Sequence, residues 1–411
     1  MKKIHIFKTI LWAAAICLVW ACGKDLEKGP IFKDSVAPSP VTEVVVTNTS
    51  GGAVITYQMP KDLDLLRVEA SFMRGDQKIV KSSSIYSNKI LIDGLKSGQT
   101  LDISVSAVDR SNNYSTPVKV TASPLRAPID DLFDSFGLKE DFGGVRLSYN
   151  NKDLLQVEIQ ILKLNETNGL YQYKSSAFID TDKKNGFSFR GFEDVPGKFA
   201  VVAIDRWNNI SDTAFAVLTP IKEVKLDINK FKKISPAIPN DSPVAFGWVI
   251  ENMWNNNNGG SGYHSAQDEP GGGSLMEPYN EPYPVISFDL GVTAYISRFK
   301  FWQRTGTWMY THGNPRLFEV WGIDKIPAGY DGKSLTGWTR LVVDGEVIKP
   351  SGAPLGQNSA EDVASATSGE EFECADPGKP IRYIRFVNQK NWSGAKFMHI
   401  MEVNFWGNII Q

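Results

Sequence analysis

From about residue 41 the chain repeats one pattern: short bursts in which apolar side chains take every second position. VTEVVVT, GGAVITYQMP, LLRVEASFM and KILIDGLKSGQTLDISVSA all read this way. Alternation at a period of two puts one face inward and the other in water, so each burst predicts a β-strand. Turn-forming Gly, Pro, Asn and Asp separate the bursts, and the 3.6-residue periodicity of an amphipathic helix is almost absent. The pattern predicts an all-β chain.

The pattern also repeats on a longer scale. VSAVDRSNNYS ends at Ser115 and VVAIDRWNNIS ends at Ser211, so Ala107, Asp109, Arg110, Asn112, Asn113 and Ser115 recur 96 residues later. Each copy is a strand, a polar turn where Asn can take the left-handed conformation, and a second strand. A period of 96 suits two small β-sandwiches and is too long for a solenoid repeat. Asp109 and Asp205 are expected to cap their turns rather than to bind calcium or do chemistry.

Beyond about residue 222 the pattern stays β but the composition changes. Eight of the eleven Trp lie after residue 240, together with His264, His312 and His399. VISFDL, YISRFKFWQ, LFEVWGI, IRYIRFV and HIMEVNFWG read as strands joined by long loops, one of them spanning 251–284. In YISRFKFWQ, Phe299 and Phe301 share the face expected to point inward, and Arg298, Lys300, Trp302 and Arg304 share the other. The next segment, QRTGTWMYTHGNPR, gathers Trp308, Tyr310 and His312 where no regular strand can run. Such rings either seal the end of a sandwich or pack on a neighbour, or they face a ligand. The three His lie 48 and 87 residues apart with no HxH or HxxxH pair, so zinc is not expected.

Charge and cysteine usage narrow the classes. A net charge of -2 and a pI near 6.2 provide no basic field, which excludes a nucleic-acid partner. Of Cys17, Cys22 and Cys374, only Cys374 lies in the globular part, so no disulfide forms there. No GxSxG, HExxH, phosphate-binding loop or barrel pattern is present, and the chain is not expected to be an enzyme. At the N-terminus, Lys2, Lys3 and Lys8 precede an apolar run from Ile10 to Val19, short for a membrane span and suited to a signal peptide.

Several segments resemble known families. LVWAC, with Cys22 after Ala21, resembles a bacterial lipobox. This implies a signal peptide over 1–21, lipidation of Cys22 and a tether over 22–36. GKDLEKG resembles the tags of surface lipoproteins of the Bacteroidetes, which implies a lipid-anchored protein of the outer membrane, facing outward. Residues 37–124 resemble a fibronectin type III domain through the Pro38–Val41 lead, the LKSGQ turn and AVDRSNNYS. Residues 125–220 resemble it more loosely through GGVRLSYNN and AIDRWNNIS. ISFDLG, YISRFKFWQR, NPRLFEVWG, GWTRLV, RYIRFV and IMEVNFWG, in that order, resemble a discoidin-like domain of the galactose-binding type over 221–411.

The implied fold is all-β: two fibronectin type III-like sandwiches, then a discoidin-like jelly-roll β-sandwich. In sugar-binding members of that family an Arg ending one strand and an Asn beginning the next hold the sugar, a pairing that falls on Arg304 and Asn314. Trp308, Tyr310 or Trp392 would supply a stacking ring, and His264 and His312 further contacts. A structural calcium is implied near Glu402, with Glu251 and Asn252 beside it. The architecture implies a non-catalytic lipoprotein that binds a glycan or polysaccharide alongside outer-membrane transport-complex proteins. The alternative is an adhesin or protein-binding component on the same scaffold.

Overall fold

The computed structural model describes residues 34–180, 185–266, 277–279 and 282–410. Cys22, the signal segment and most of the tether lie outside the described residues.

Three successive β-sandwich units carry separate cores, and the third adds a smaller cluster around Leu335 and Trp338. In the first, strands Thr42–Thr49, Gly52–Gln58 and Lys89–Ile92 form a three-stranded sheet. It faces a four-stranded sheet of Gln77–Ser84, Leu65–Arg74, Leu101–Asp109 and Val118–Ala122. The second unit repeats this three-plus-four arrangement between Gly137 and Leu218. The alternation sets the inner face: Leu101, Ile103, Val105 and Ala107 are buried and the residues between them are not. At roughly 1.5–3 kcal/mol for each large side chain removed from water, such a face commits the strand to its register.

The repeated turns are alike bond for bond. Asp109 Oδ1 accepts the N–H of Ser111 and of Asn113, and Asp205 Oδ1 accepts those of Trp207 and Asn209. Asn112 and Asn208 have φ of 65° and 62°. Ser115 Oγ takes the Ala107 N–H, and Ser211 Oγ takes that of Ala203, both at 2.9 Å. Burial pushes the Asp109 carboxyl up, but the hydrogen bonds of Asn113 and Ser111 outweigh it and hold the group low.

A residue of the second turn also joins the first two units. A Cβ on Gly94 would stand 2.4 Å from the Trp207 ring, so only glycine lets that ring close on the backbone. Asn209 Nδ2 donates to the Gly94 carbonyl at 3.1 Å. Charge joins the second unit to the third. Glu223, between them in sequence, accepts from Arg190, Arg298 and Ser297, while Glu373 reaches back to Arg146 and Arg190.

The third unit is built on one long strand, Val285–Trp302. Its first half pairs with Pro380–Asn391 and its second with Glu402–Ile409, so one strand serves both faces of the sandwich. Phe299 and Phe301 point into the core as expected, among Phe318, Phe372, Phe386 and Phe405. Cys374 is a free, buried thiol, and burial pushes its pKa up.

Candidate functional site

The long strand ends at Trp302, and the chain then turns through Gly306–Trp308 to begin the next strand at Pro315. This turn meets two loops from elsewhere in the third unit, one around 246–264 and one around 397–399. Arg304 is the first residue they enclose. Its guanidinium lies 4.8 Å from the Trp248 ring centre and 4.6 Å from that of Trp308, so two indoles flank the cation. Partial burial holds its pKa below the ordinary value, and the group remains charged.

The three histidines pack beside this cation. Although far apart in sequence, His264, His312 and His399 each offer a ring nitrogen within 4.8 Å of the others. A short antiparallel pair sets His264 of Tyr263–His264 opposite His399 of His399–Ile400, and the turn after the long strand brings His312 to them. His264 stacks on Phe397, with ring centres 5.2 Å apart, and His312 lies against Trp308 at 4.7 Å. Phe246 packs edge-on to His264 while 74% exposed, and Trp308 is 38% exposed. The backbone is strained at this rim, because Phe246 and His312 hold φ of 54° and 56°.

The hydrogen bonds assign the tautomers. His264 Nδ1 donates to the Ser265 carbonyl at 2.7 Å, which leaves its Nε2 as the acceptor. Gly313 N–H donates to His399 Nε2 at 3.1 Å, so the His399 proton sits on Nδ1, a buried atom that, its own backbone apart, has no acceptor among the described residues. Burial, then the neighbouring His264, His312 and Arg304, push the His399 pKa down to about 2. Burial lowers those of His264 and His312 as well, with Arg304 adding to it in both.

Zinc fits this cluster poorly. Three ring lone pairs would have to converge on the ion, but His399 presents an N–H and Arg304 adds a cation. Calcium fits the expected place no better. Glu402 accepts the backbone N–H groups of Asn256 and Asn257 at 3.3 Å each. Glu251 pairs with Lys233, and the Asn252 amide donates to the Gly262 carbonyl. Each of the three side chains is thus engaged with a protein group, and a calcium ion there would have to displace those bonds. Asp34, Asp64 and Asp109 do bring carboxylates within 4.8 Å of one another, but Asp109 is engaged in its turn.

Of the seven residues expected to meet a ligand, Arg304, Trp308 and His312 line the rim, His264 lies buried just beneath it, Trp392 is only partly exposed, and Tyr310 and Asn314 are corrected. Tyr310 is fully buried and its hydroxyl donates to the Asp362 carbonyl. Asn314 is fully buried too, its amide bonded to Gln303, Arg304 and Trp308. Trp392 is half-buried, packed edge-on to Tyr310 and under the Arg316 guanidinium. Tyr310 and Asn314 form the scaffold beneath the rim, and Trp392 packs against it. Phe246, Trp248 and Phe397 escaped the sequence reading, which weighed His399 only as part of an unexpected zinc set. For Phe246 and Trp248 the signal was an aromatic pair around a glycine, FGW, in a proline-flanked loop.

A chain of three antiparallel β-sandwiches, with a ring-lined cationic rim on the last, defines a class of multidomain all-β proteins. The SusE-like protein BT2857 is 31% identical, matches 69% of this chain and 100% of its own, and superposes with a TM-score of 0.44. On that identity and coverage the chain belongs to the SusE-like family. Family models match in sequence: DUF4959 over 38–124, DUF5126 over 125–229 and DUF5000 over 273–407, each described as a domain of unknown function. A two-domain fibronectin type III segment of chicken tenascin is 14% identical, over 44% of this chain and 99% of that one, with a TM-score of 0.23. The C-terminal domain of a chitobiase from Bacteroides fragilis is 13% identical, over 46% of this chain and 100% of that domain, with a TM-score of 0.29. No curated protein matches the chain.

Proposed function

We propose that this chain is a non-catalytic, lipid-anchored protein of the bacterial cell surface that captures carbohydrate through the rim of its third unit. The observation that carries the reading is Arg304 held between Trp248 and Trp308, with Phe246 and Trp308 exposed beside it. A sugar offers hydroxyls at its edge and C–H groups on a face. A guanidinium fork meets the first and an exposed ring the second. Membership of the SusE-like family and the discoidin-like motif order support it. The two fibronectin-like units serve as spacers, and Cys22 as the lipid site. An open site of this kind binds weakly, with a Kd on the order of 0.1–1 mM, which many tethered copies on one polymer compensate.

The test is a glycan array and pull-down with the full chain and with its Trp308→Ala and Phe246→Ala variants. Binding that weakens in both supports the reading. Binding that neither variant changes, or no binding to any glycan, overturns it.

A second reading, a protein-binding component, has one observation in its favour. The second unit exposes Phe215 and Val217 at 64% and 71%, with the Tyr171 ring 5.4 Å from Phe215. Capture of an outer-membrane protein that Phe215→Ser abolishes and Trp308→Ala leaves intact would favour it.

A further inference from the structure

We infer that the Arg304–histidine cluster seats an anionic substituent of the glycan, a carboxylate or a sulfate ester. This rests on the carbohydrate reading above and narrows it to acidic sugars.

Three observations converge. First, Arg304 is a cation without a counter-charge. The other five arginines of the third unit, Arg298, Arg316, Arg340, Arg382 and Arg385, each pair with a carboxylate. Arg304 has only the two indole faces and no ion pair or side-chain hydrogen bond among the described residues. The indole faces leave the guanidinium edge, and its N–H donors, available. Second, His399 Nδ1–H is a buried donor that, its own backbone apart, has no acceptor among the described residues, in a residue that is 0% exposed. A group left in that state costs stability unless a ligand completes it. Third, the charges acting on the cluster are all of one sign. Arg304 depresses all three histidines, and His264 and His312 depress His399, with no carboxylate among these influences.

An incoming carboxylate or sulfate meets each condition. It accepts from the Arg304 fork and from His399 Nδ1–H, and its charge balances the lone guanidinium, whose field helps keep the three rings neutral. A neutral hydroxyl satisfies one donor and leaves the charge unbalanced. Binding an anion also raises the histidine pKa values, so protons are taken up with the ligand and affinity grows as pH falls. Glu402, three residues from His399, is engaged by the N–H groups of Asn256 and Asn257, and Asp268 and Glu269, close to His264 in sequence, lie outside the described residues.

The experiment is calorimetric titration of the full chain with trigalacturonate, neutral galactotriose, galactose 6-sulfate, inorganic sulfate and zinc chloride. Acidic sugars are expected to bind about ten- to a hundredfold tighter than the neutral one, and tighter still from about pH 8 to about pH 6. The two acidic arms show whether carboxylate or sulfate is preferred. Arg304→Gln, checked for an unchanged melting temperature, should erase the preference, and Arg304→Lys should keep part of it. Neutral and acidic sugars binding equally would overturn the inference and leave the carbohydrate reading standing. No sugar binding would overturn both. Inorganic sulfate binding without any sugar, or stoichiometric zinc lost in His264→Ala, would overturn the glycan anion. So would a preference that appears only in the Asp268→Asn, Glu269→Gln variant, because the chain's own acids would then fill the cluster.

Discussion

The side-chain amide of Asn314 donates a 2.7 Å hydrogen bond to the carbonyl of Trp308, tying the start of one strand to the ring-bearing turn before it. The same amide donates to the Arg304 carbonyl, and its oxygen accepts the Arg304 N–H. One buried residue thus fixes the backbone of both a cation and a ring that stand at the rim.

Replacing Asn314 by Ala leaves those backbone groups unpaired in a buried place. Its expected cost is about 2–4 kcal/mol in the third unit, with glycan affinity falling although Asn314 touches no ligand. Urea unfolding alongside glycan titration checks this. Unchanged stability with lost binding would instead make Asn314 a contact residue.

Gly94→Ala should loosen the first two units from each other. The new Cβ meets the Trp207 ring at 2.4 Å, and the backbone there holds φ at 72°. The expected cost is about 1–3 kcal/mol, with a red shift of Trp207 fluorescence as the ring leaves its seat. Calorimetry should show the first unit melting earlier while the third keeps its transition.

Glu223→Ala removes the acceptor that Arg190, Arg298 and Ser297 share at the second junction. The Glu223 side chain is only 7% exposed, so two partly buried cations lose their more buried carboxylate and keep Glu373 and Glu371. A loss of about 2–3 kcal/mol is expected, and Glu223→Gln should recover part of it. Limited proteolysis near residue 222 should accelerate. An unchanged cleavage rate would mean the units hold together without this network.

His399 makes the third unit sensitive to acid. Its folded pKa is lowered to about 2, whereas unfolding restores a value near 6.5. The unfolded chain therefore takes a proton that the folded chain refuses. The resulting stability is complete above about pH 6.5 and falls by up to about 1.4 kcal/mol per pH unit below it. A His399→Asn variant should show a shallower loss of melting temperature than the parent between about pH 6.5 and pH 4, even if its starting value is lower.

The sequence by itself determined whatever depends on neighbours along the chain. The strands follow from the period-two apolar pattern, because one face must leave water. The paired turns at Asp109 and Asp205 follow from residues within four positions of the carboxylate. The inward placement of Phe299 and Phe301 follows from the same alternation, and the sequence also marked Arg304, Trp308, His264 and His312. Only the tertiary structure decided which candidates face outward. Tyr310 and Asn314 look as available in sequence as Trp308, but burial and the hydrogen bonds beneath the turn claim them. The same holds for what gathers around Arg304. Trp248 reaches it from one loop, and His399, on a short strand paired with that of His264, comes beside it with Phe397 only when the sandwich closes. No local pattern encodes that meeting, because it depends on how two sheets pack and on where their loops then cross.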